Sequence, residues 1–312
     1  MRVALMIEGQ EGVSWEQWLA LAAAAEDAGL EALFRSDHYL SLEAPRERAS
    51  LDAWTTLAGL AASTSRIRLG TLVSPATFRH PSVLAKSVAT VDHISGGRVE
   101  LGLGAGWMEL EHRAYGFDFP PASERVARFA EQLEIVHRVW TEDTPSFRGR
   151  YYTLEESPRL PKPVQRPRPP IIVGGSALPG TARPAARFAD EYNTFSASPE
   201  EAERRRRRLD EACEAEGRDP TTLPLSVMAG FLIGADEGEV RERARRLAGD
   251  GADRLLARYR ESGVAGTPDQ VLDRLAEYEE AGVERVMLQH LLHDDVDAIA
   301  LVGHEVLPAL GA

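Results

Sequence analysis

Short apolar runs alternate with longer amphipathic stretches along the whole chain. The short runs, rich in β-branched and aliphatic residues, fall at 3–7, 32–34, 67–73, 98–103, 171–173, 191–195, 225–233 and 285–291. Between them, helical spacing of apolar positions marks 15–28, 52–63, 81–93, 123–140, 182–189, 199–216, 236–248 with 269–281, and 296–307. Start signals agree with these bounds: Ser14 precedes the first stretch, Ser123 with Glu124 opens the fourth, and "SPEE" at 198–201 opens the sixth. Gly29 and Gly282 each stop a helix just before a strand.

Eight strands alternating with helices predict parallel pairing with the helices outside. For 312 residues a closed (β/α)8 TIM barrel is the simplest α/β solution, since roughly 250 residues suffice. A doubly wound open sheet uses the same alternation. One domain over 1–312 is expected, with an insertion at about 141–170 between the fourth helix and the fifth strand. The insertion ends in "SPRLPKPVQRPRPP", too rich in proline for helix or strand. It is expected to lie over the barrel mouth.

In such a barrel the loops after the strands carry the chemistry. The second strand runs into Arg35, Asp37 and His38, which places three charged or titratable groups on that rim. An imidazole titrates near pH 6.5, so His38 can exchange protons at cellular pH or be a solvated loop residue. Asp37 can bond a cofactor donor or tune a neighbouring charge. After the third strand, Thr71, Ser74 and Thr77 are either contacts for a ligand or loop-capping residues. Gly102, Gly104 and Gly106 end the fourth strand, but their spacing is not that of a dinucleotide-binding loop. Alternating glycines admit a flat ring or simply pack the barrel interior. At the end of the fifth strand, Gly174, Gly175 and Ser176 precede a helix, where converging N–H groups favour a phosphate or form a plain tight turn. The eighth strand ends in His290 and His293, but the first strand lacks the His-x-His of metallohydrolases, so no metal site is expected.

Charge narrows the partners. With 49 acidic against 36 basic residues the net charge is −13, which argues against nucleic acid and anionic membranes. The single cysteine, Cys213, excludes an internal disulfide. The N-terminal "VALMI" is too short for a signal peptide and no apolar run reaches 18 residues, so a cytoplasmic protein is expected. The arginine run at 203–211 is flanked by acids and reads as a solvated helix face. Arg159, Lys162, Arg166 and Arg168 in the insertion read as a polyanion site or as a solvated linker.

Three blocks, "AEDAGLEALFRSDH", "RIRLGTLVSPATFRHPSVLAKSVATVDHISGGRVELGLGAGWMELEHRAYG" and "GTPDQVLDRLAEYEEAGVERVMLQ", cover much of the chain. On them the sequence resembles the luciferase-like monooxygenase superfamily, and within it the actinobacterial coenzyme F420-dependent oxidoreductases. The resemblance implies the (β/α)8 barrel and hydride transfer between F420 and a small organic substrate, by reduction of an activated C=C, C=N or C=O bond. It implies His38 as the catalytic proton donor or acceptor beside the deazaflavin and Asp37 as its partner at the cofactor. It also implies a non-proline cis peptide between Leu72 and Val73 supporting the ring. Flanking ring contacts would come from Thr71, Ser74, Gly104, Ala105 and Gly106, and a phosphate-binding backbone from Gly174, Gly175 and Ser176.

Sugar-phosphate dehydrogenases of that family carry a glutamate where this chain has Trp107, and a lysine absent from "NTFSASPEE". A sugar phosphate is therefore not expected. Glu8, Trp107 and His290 would line the pocket of an uncharged or partly aromatic substrate. The runner-up is an FMN-dependent monooxygenase using O2, whose relatives more often carry Glu-His in place of Asp37-His38. The third reading is a non-catalytic flavin-binding protein. Family members are commonly homodimers, and the apolar segment 51–63 suits either an interface or a fully buried helix.

Overall fold

A computed structural model describes residues 1–42, 46–158 and 160–311. Eight parallel strands close on themselves: β1 (Arg2–Ile7), β2 (Ala32–Arg35), β3 (Arg68–Thr71), β4 (Val99–Gly104), β5 (Ile171–Gly174), β6 (Glu191–Phe195), β7 (Leu225–Ile233) and β8 (Val283–Gln289). Each pairs with the next, and β8 pairs with β1, so the sheet is a barrel and not an open doubly wound layer.

The helices alternate with them: α1 (Trp15–Asp27), α2 (Ala53–Ser63), α3 (Pro81–Ser95), α4 (Glu109–Tyr115), α5 (Ala122–Thr141), α6 (Pro179–Phe188), α7 (Pro199–Ala215), α8 (Glu237–Ala248), α9 (Ala252–Ser262), α10 (Pro268–Glu280) and α11 (Val296–Leu301). Ser14 caps α1 in a reciprocal pair with Gln17. The Ser123 start signal is not used: α5 begins one residue earlier, after Pro121, with no side-chain cap. The stretch 236–281 holds three helices instead of two, with a short strand Val264–Gly266 beside the end of β7.

Side chains alternate between barrel interior and helix layer. Val3, Leu5, Leu33, Leu69, Leu101, Val173, Val227 and Leu288 face the helices in the main core. Ala4, Met6, Ala32, Phe34, Leu72, Ile172 and Met287 form a separate apolar cluster inside the barrel. At the base of the interior the filling is ionic. Arg285 meets Glu100 at 2.9 Å and Glu191 at 3.1 Å, and Arg68 also pairs with Glu100. Burial works against the Glu100 charge, yet Arg285 and Arg68 hold its carboxyl below the usual range; burial pushes Glu191 above it.

The segment 142–170 lies elsewhere than over the mouth. Because α5 runs from the mouth to the base, the chain that follows starts at the base. Its short hairpin (Phe147–Arg148 with Thr153–Leu154) climbs the outside of α5, where Glu131 accepts from the N–H groups of Arg150, Tyr151 and Tyr152. Its end is tied to the base by Gln165, whose amide donates to Asp92 and to the Val99 carbonyl. Its basic residues are engaged within the chain: Arg168 pairs with Asp190, Lys162 with Asp143, and Arg166 donates to backbone carbonyls. Arg159 lies outside the described residues.

Candidate active site

The mouth is built where the strands end. His38 follows β2 and is 12% exposed; its Nδ1 donates to Glu111 Oε1 at 2.8 Å. Glu111 Oε2 accepts from the Tyr39 N–H at 3.1 Å, so one carboxylate fixes both the ring and its backbone. With Nδ1 engaged, Nε2 is the nitrogen left for a ligand. Trp107 is 64% exposed and stands edge-on to the imidazole at 5.9 Å between centroids. Burial opposes a charged ring at His38. The hydrogen bond and charge of Glu111, with the fields of Glu8 and Asp37, outweigh it and raise the pKa above the ordinary histidine value.

Asp37 faces away from the mouth. It is 2% exposed and accepts from Ser74 Oγ at 2.6 Å and from both terminal nitrogens of Arg79, at 2.5 and 3.2 Å. It anchors these groups, and both of its oxygens are engaged by them. Arg79 also bonds Asp52, the cap of α2. Thr71 and Ser74 are fully buried; Thr71 donates to the Gly102 carbonyl and Ser74 accepts from Trp54. Both brace the wall beneath the rim. Arg35 sits on the helix side of β2, over the Trp18 ring and donating to the Leu51 carbonyl, so it too is off the rim.

The peptide between Leu72 and Val73 is cis. Val73 stands against three glycines: a Cβ on Gly104 would come within 2.6 Å of its Cγ2, and one on Gly174 within 3.0 Å of its Cγ1. A Cβ on Gly102 would meet the Thr71 carbonyl at 2.0 Å. The glycines at the ends of β4 and β5 therefore make room for one valine that rises into the mouth. Beside it run the partly exposed Ala105 and Gly106, the latter at φ +81.

Gly175 passes so close to Tyr192 that a Cβ would lie 2.5 Å from its hydroxyl, which accepts from the Ala177 N–H at 2.9 Å. Ser176 is exposed, Ala177 has φ +54, and no side chain caps α6. That leaves a glycine turn and an open helix start facing the mouth, a cradle suited to an anion.

Glu8 continues the inward alternation of Ala4 and Met6. It is 6% exposed and accepts from Gln289 at 2.6 Å and Gln10 at 2.9 Å. His290 does not line the mouth. It alternates with Gln289, turns to the helix side against Phe231, and burial pushes its pKa down to about 4. Among the described residues no group of three or more His, Cys, Asp or Glu is placed to hold a metal.

Sequence reasoning missed Glu111, Arg79 and Gln289. A signal existed for Glu111: Met108, Glu111, His112 and Tyr115 follow helical spacing, which puts an acid on the inner face of α4.

Fold and rim together define a (β/α)8 barrel with an enzyme-type site, a braced imidazole and an anion cradle on one face. The luciferase-like monooxygenase profile matches residues 1–285, and the chain belongs to that family. The F420-dependent glucose-6-phosphate dehydrogenase of Microbacterium testaceum is 29% identical over 315 residues, covering 92% of this chain and 90% of its own. The FMNH2-dependent dimethylsulfone monooxygenase of Pseudomonas putida is 27% identical over 278 residues, covering 80% of this chain and 76% of its own. Among solved structures, the monooxygenase RslO1 of Streptomyces bottropensis superposes with a TM-score of 0.84 at 26% identity, over 99% of this chain and 100% of its own.

Proposed function

We propose that the protein is an oxidoreductase that moves a hydride between coenzyme F420 and a small organic substrate, reducing an activated C=C, C=N or C=O bond. The observation that carries this reading is the His38–Glu111 pair set beside Val73 and the glycine cradle. The residues fit a flat phosphorylated ring: Val73 offers an apolar support, and Gly174, Gly175 and Ser176 with the uncapped start of α6 suit its phosphate. When bound, the deazaflavin supplies the hydride. His38 holds or releases a proton at Nε2, Glu111 fixes the tautomer and orientation, and Trp107 screens the pair from water. Asp37 acts one step back, through Ser74 and Arg79.

The F420 dehydrogenase matches a larger share of the chain than the FMNH2 monooxygenase, 92% against 80%, and favours the deazaflavin over FMN. The same reading carries a cytoplasmic homodimer, with exposed Val83 and Ile94 on α3 available to a second copy. Among the described residues no helix is long and apolar enough to cross a membrane.

His38→Ala tests the role of the imidazole. The variant is expected to bind F420 as the wild type does and to lose roughly 100-fold or more in turnover, the usual worth of a positioned acid or base. Undiminished turnover would remove His38 from the chemistry.

A further inference from the structure

Glu8 differs, among the described residues, from the other carboxylates of the rim in having no cation bonded to it. Among the described residues Glu111 has His38, Asp37 and Asp52 share Arg79, Glu11 has Arg48, and Asp295 has Arg243 and Arg246. Both oxygens of Glu8 are held instead by neutral amides, Oε1 by Gln289 and Oε2 by Gln10. Gln10 is locked in turn by the Ser36 hydroxyl, which accepts from the Gly9 N–H. The guanidinium of Arg35 lies against Gly9 but donates to the carbonyls of Ser36, Leu51 and Asp52. His38, His293 and Arg35 all feel the field of Glu8, yet none of them bonds it, and the His38 Nδ1 belongs to Glu111. A carboxylate withdrawn from water and bonded by neutral donors alone is under-compensated, and a cation completes it.

The register places this group in the site. Ile7 pairs with Arg35, so Glu8 stands level with Ser36, one strand over and two residues below His38. Around the same rim Trp107, Phe195 and Leu178 are 64%, 60% and 59% exposed, an apolar border. We propose that Glu8 binds the positively charged nitrogen of the substrate, so that the enzyme takes a protonated imine or amine carried on an apolar or aromatic frame. The term substrate rests on the hydride-transfer reading; the binding site for the cation does not. Sequence reasoning expected an uncharged ligand because it could not see that the partners of Glu8 are neutral amides.

Two probes of one shape decide the matter: benzylamine, which is protonated at pH 7, and benzyl alcohol. Calorimetric titration of the purified protein without cofactor is expected to show benzylamine binding at least tenfold tighter than the alcohol. Glu8→Gln is expected to abolish that preference while leaving the alcohol's affinity and the binding of F420 unchanged. Equal binding of the two probes by the wild type, which needs no variant to fold, overturns the proposal. So does a preference that survives Glu8→Gln, or loss of F420 binding in that variant, which would put Glu8 under the cofactor. An amine preference in a protein that binds no F420 would leave this site standing and remove the hydride-transfer reading instead.

Discussion

His38 can deliver or accept a proton at one defined nitrogen because Glu111 holds the other. The pair is separated by 73 positions, so nothing in the local sequence joins them. The imidazole itself was legible, since a histidine just past a strand end falls on a barrel rim whatever else the chain does. The roles of its neighbours were not. Asp37 and His38 are adjacent in sequence, yet one turns away from the mouth to Ser74 and Arg79 and the other toward it, a choice set by partners contributed from the segment after β3 and from α4.

Replacing Glu111 by Gln keeps the shape and removes the charge. The prediction is that His38 titrates at lower pH in Glu111→Gln than in the wild type, followed by NMR of the ring protons. The sign carries over to stability. A raised folded pKa contributes stability that is complete below the unfolded value of about 6.5 and is lost as pH rises through the folded one. The margin of wild type over Glu111→Gln should therefore be widest at mildly acid pH and narrow toward alkaline pH. An unchanged His38 titration would show that Glu111 is not what raises it.

At the level of elements, the eight barrel strands and most helices were legible because interior and helix-facing positions are both apolar and the helices between them keep their own period. Two features escaped. Helix α9 falls in the gap left unassigned between 248 and 269, although Leu255, Leu256 and Tyr259 give it a buried face against Leu232 in a small core of its own. The path of 142–170 was misplaced over the mouth because a proline-rich segment carries no period; hydrogen bonds to Asp92, Val99 and Asp190 decide where it runs.

The glycines of β4 are the reverse case. Sequence showed that they admit something close, and the structure shows that the nearest occupant is the Thr71 carbonyl at Gly102 and Val73 at Gly104. In Gly104→Ala the new methyl, 2.6 Å from Val73 Cγ2, must displace the valine. The expected result is about 1–3 kcal/mol of lost stability in denaturant titration, the usual range for overpacking, with F420 binding weakened about tenfold as the ring loses its support. Wild-type affinity in this variant would mean that Val73 does not carry the ring.

For the whole molecule, the barrel separates stability from chemistry. The base of its interior is an ion-paired layer around Arg285, the middle is apolar around Phe34, and the mouth gathers the groups left for ligands. Arg285 packs over the Phe34 ring at 4.7 Å, which joins the lower two layers. That division explains why the fold was readable from period alone while the cofactor was reached only through resemblance: F420-dependent and FMNH2-dependent relatives both match this chain along most of its length.

The ring that the mouth accepts decides the chemistry. Fluorescence titrations of the purified protein with F420 and with FMN, in the same buffer, measure this directly. The prediction is saturable binding of F420 and at least tenfold weaker binding of FMN. Preference for FMN would turn the reading to the monooxygenase branch, and failure to bind F420 at all would contradict it.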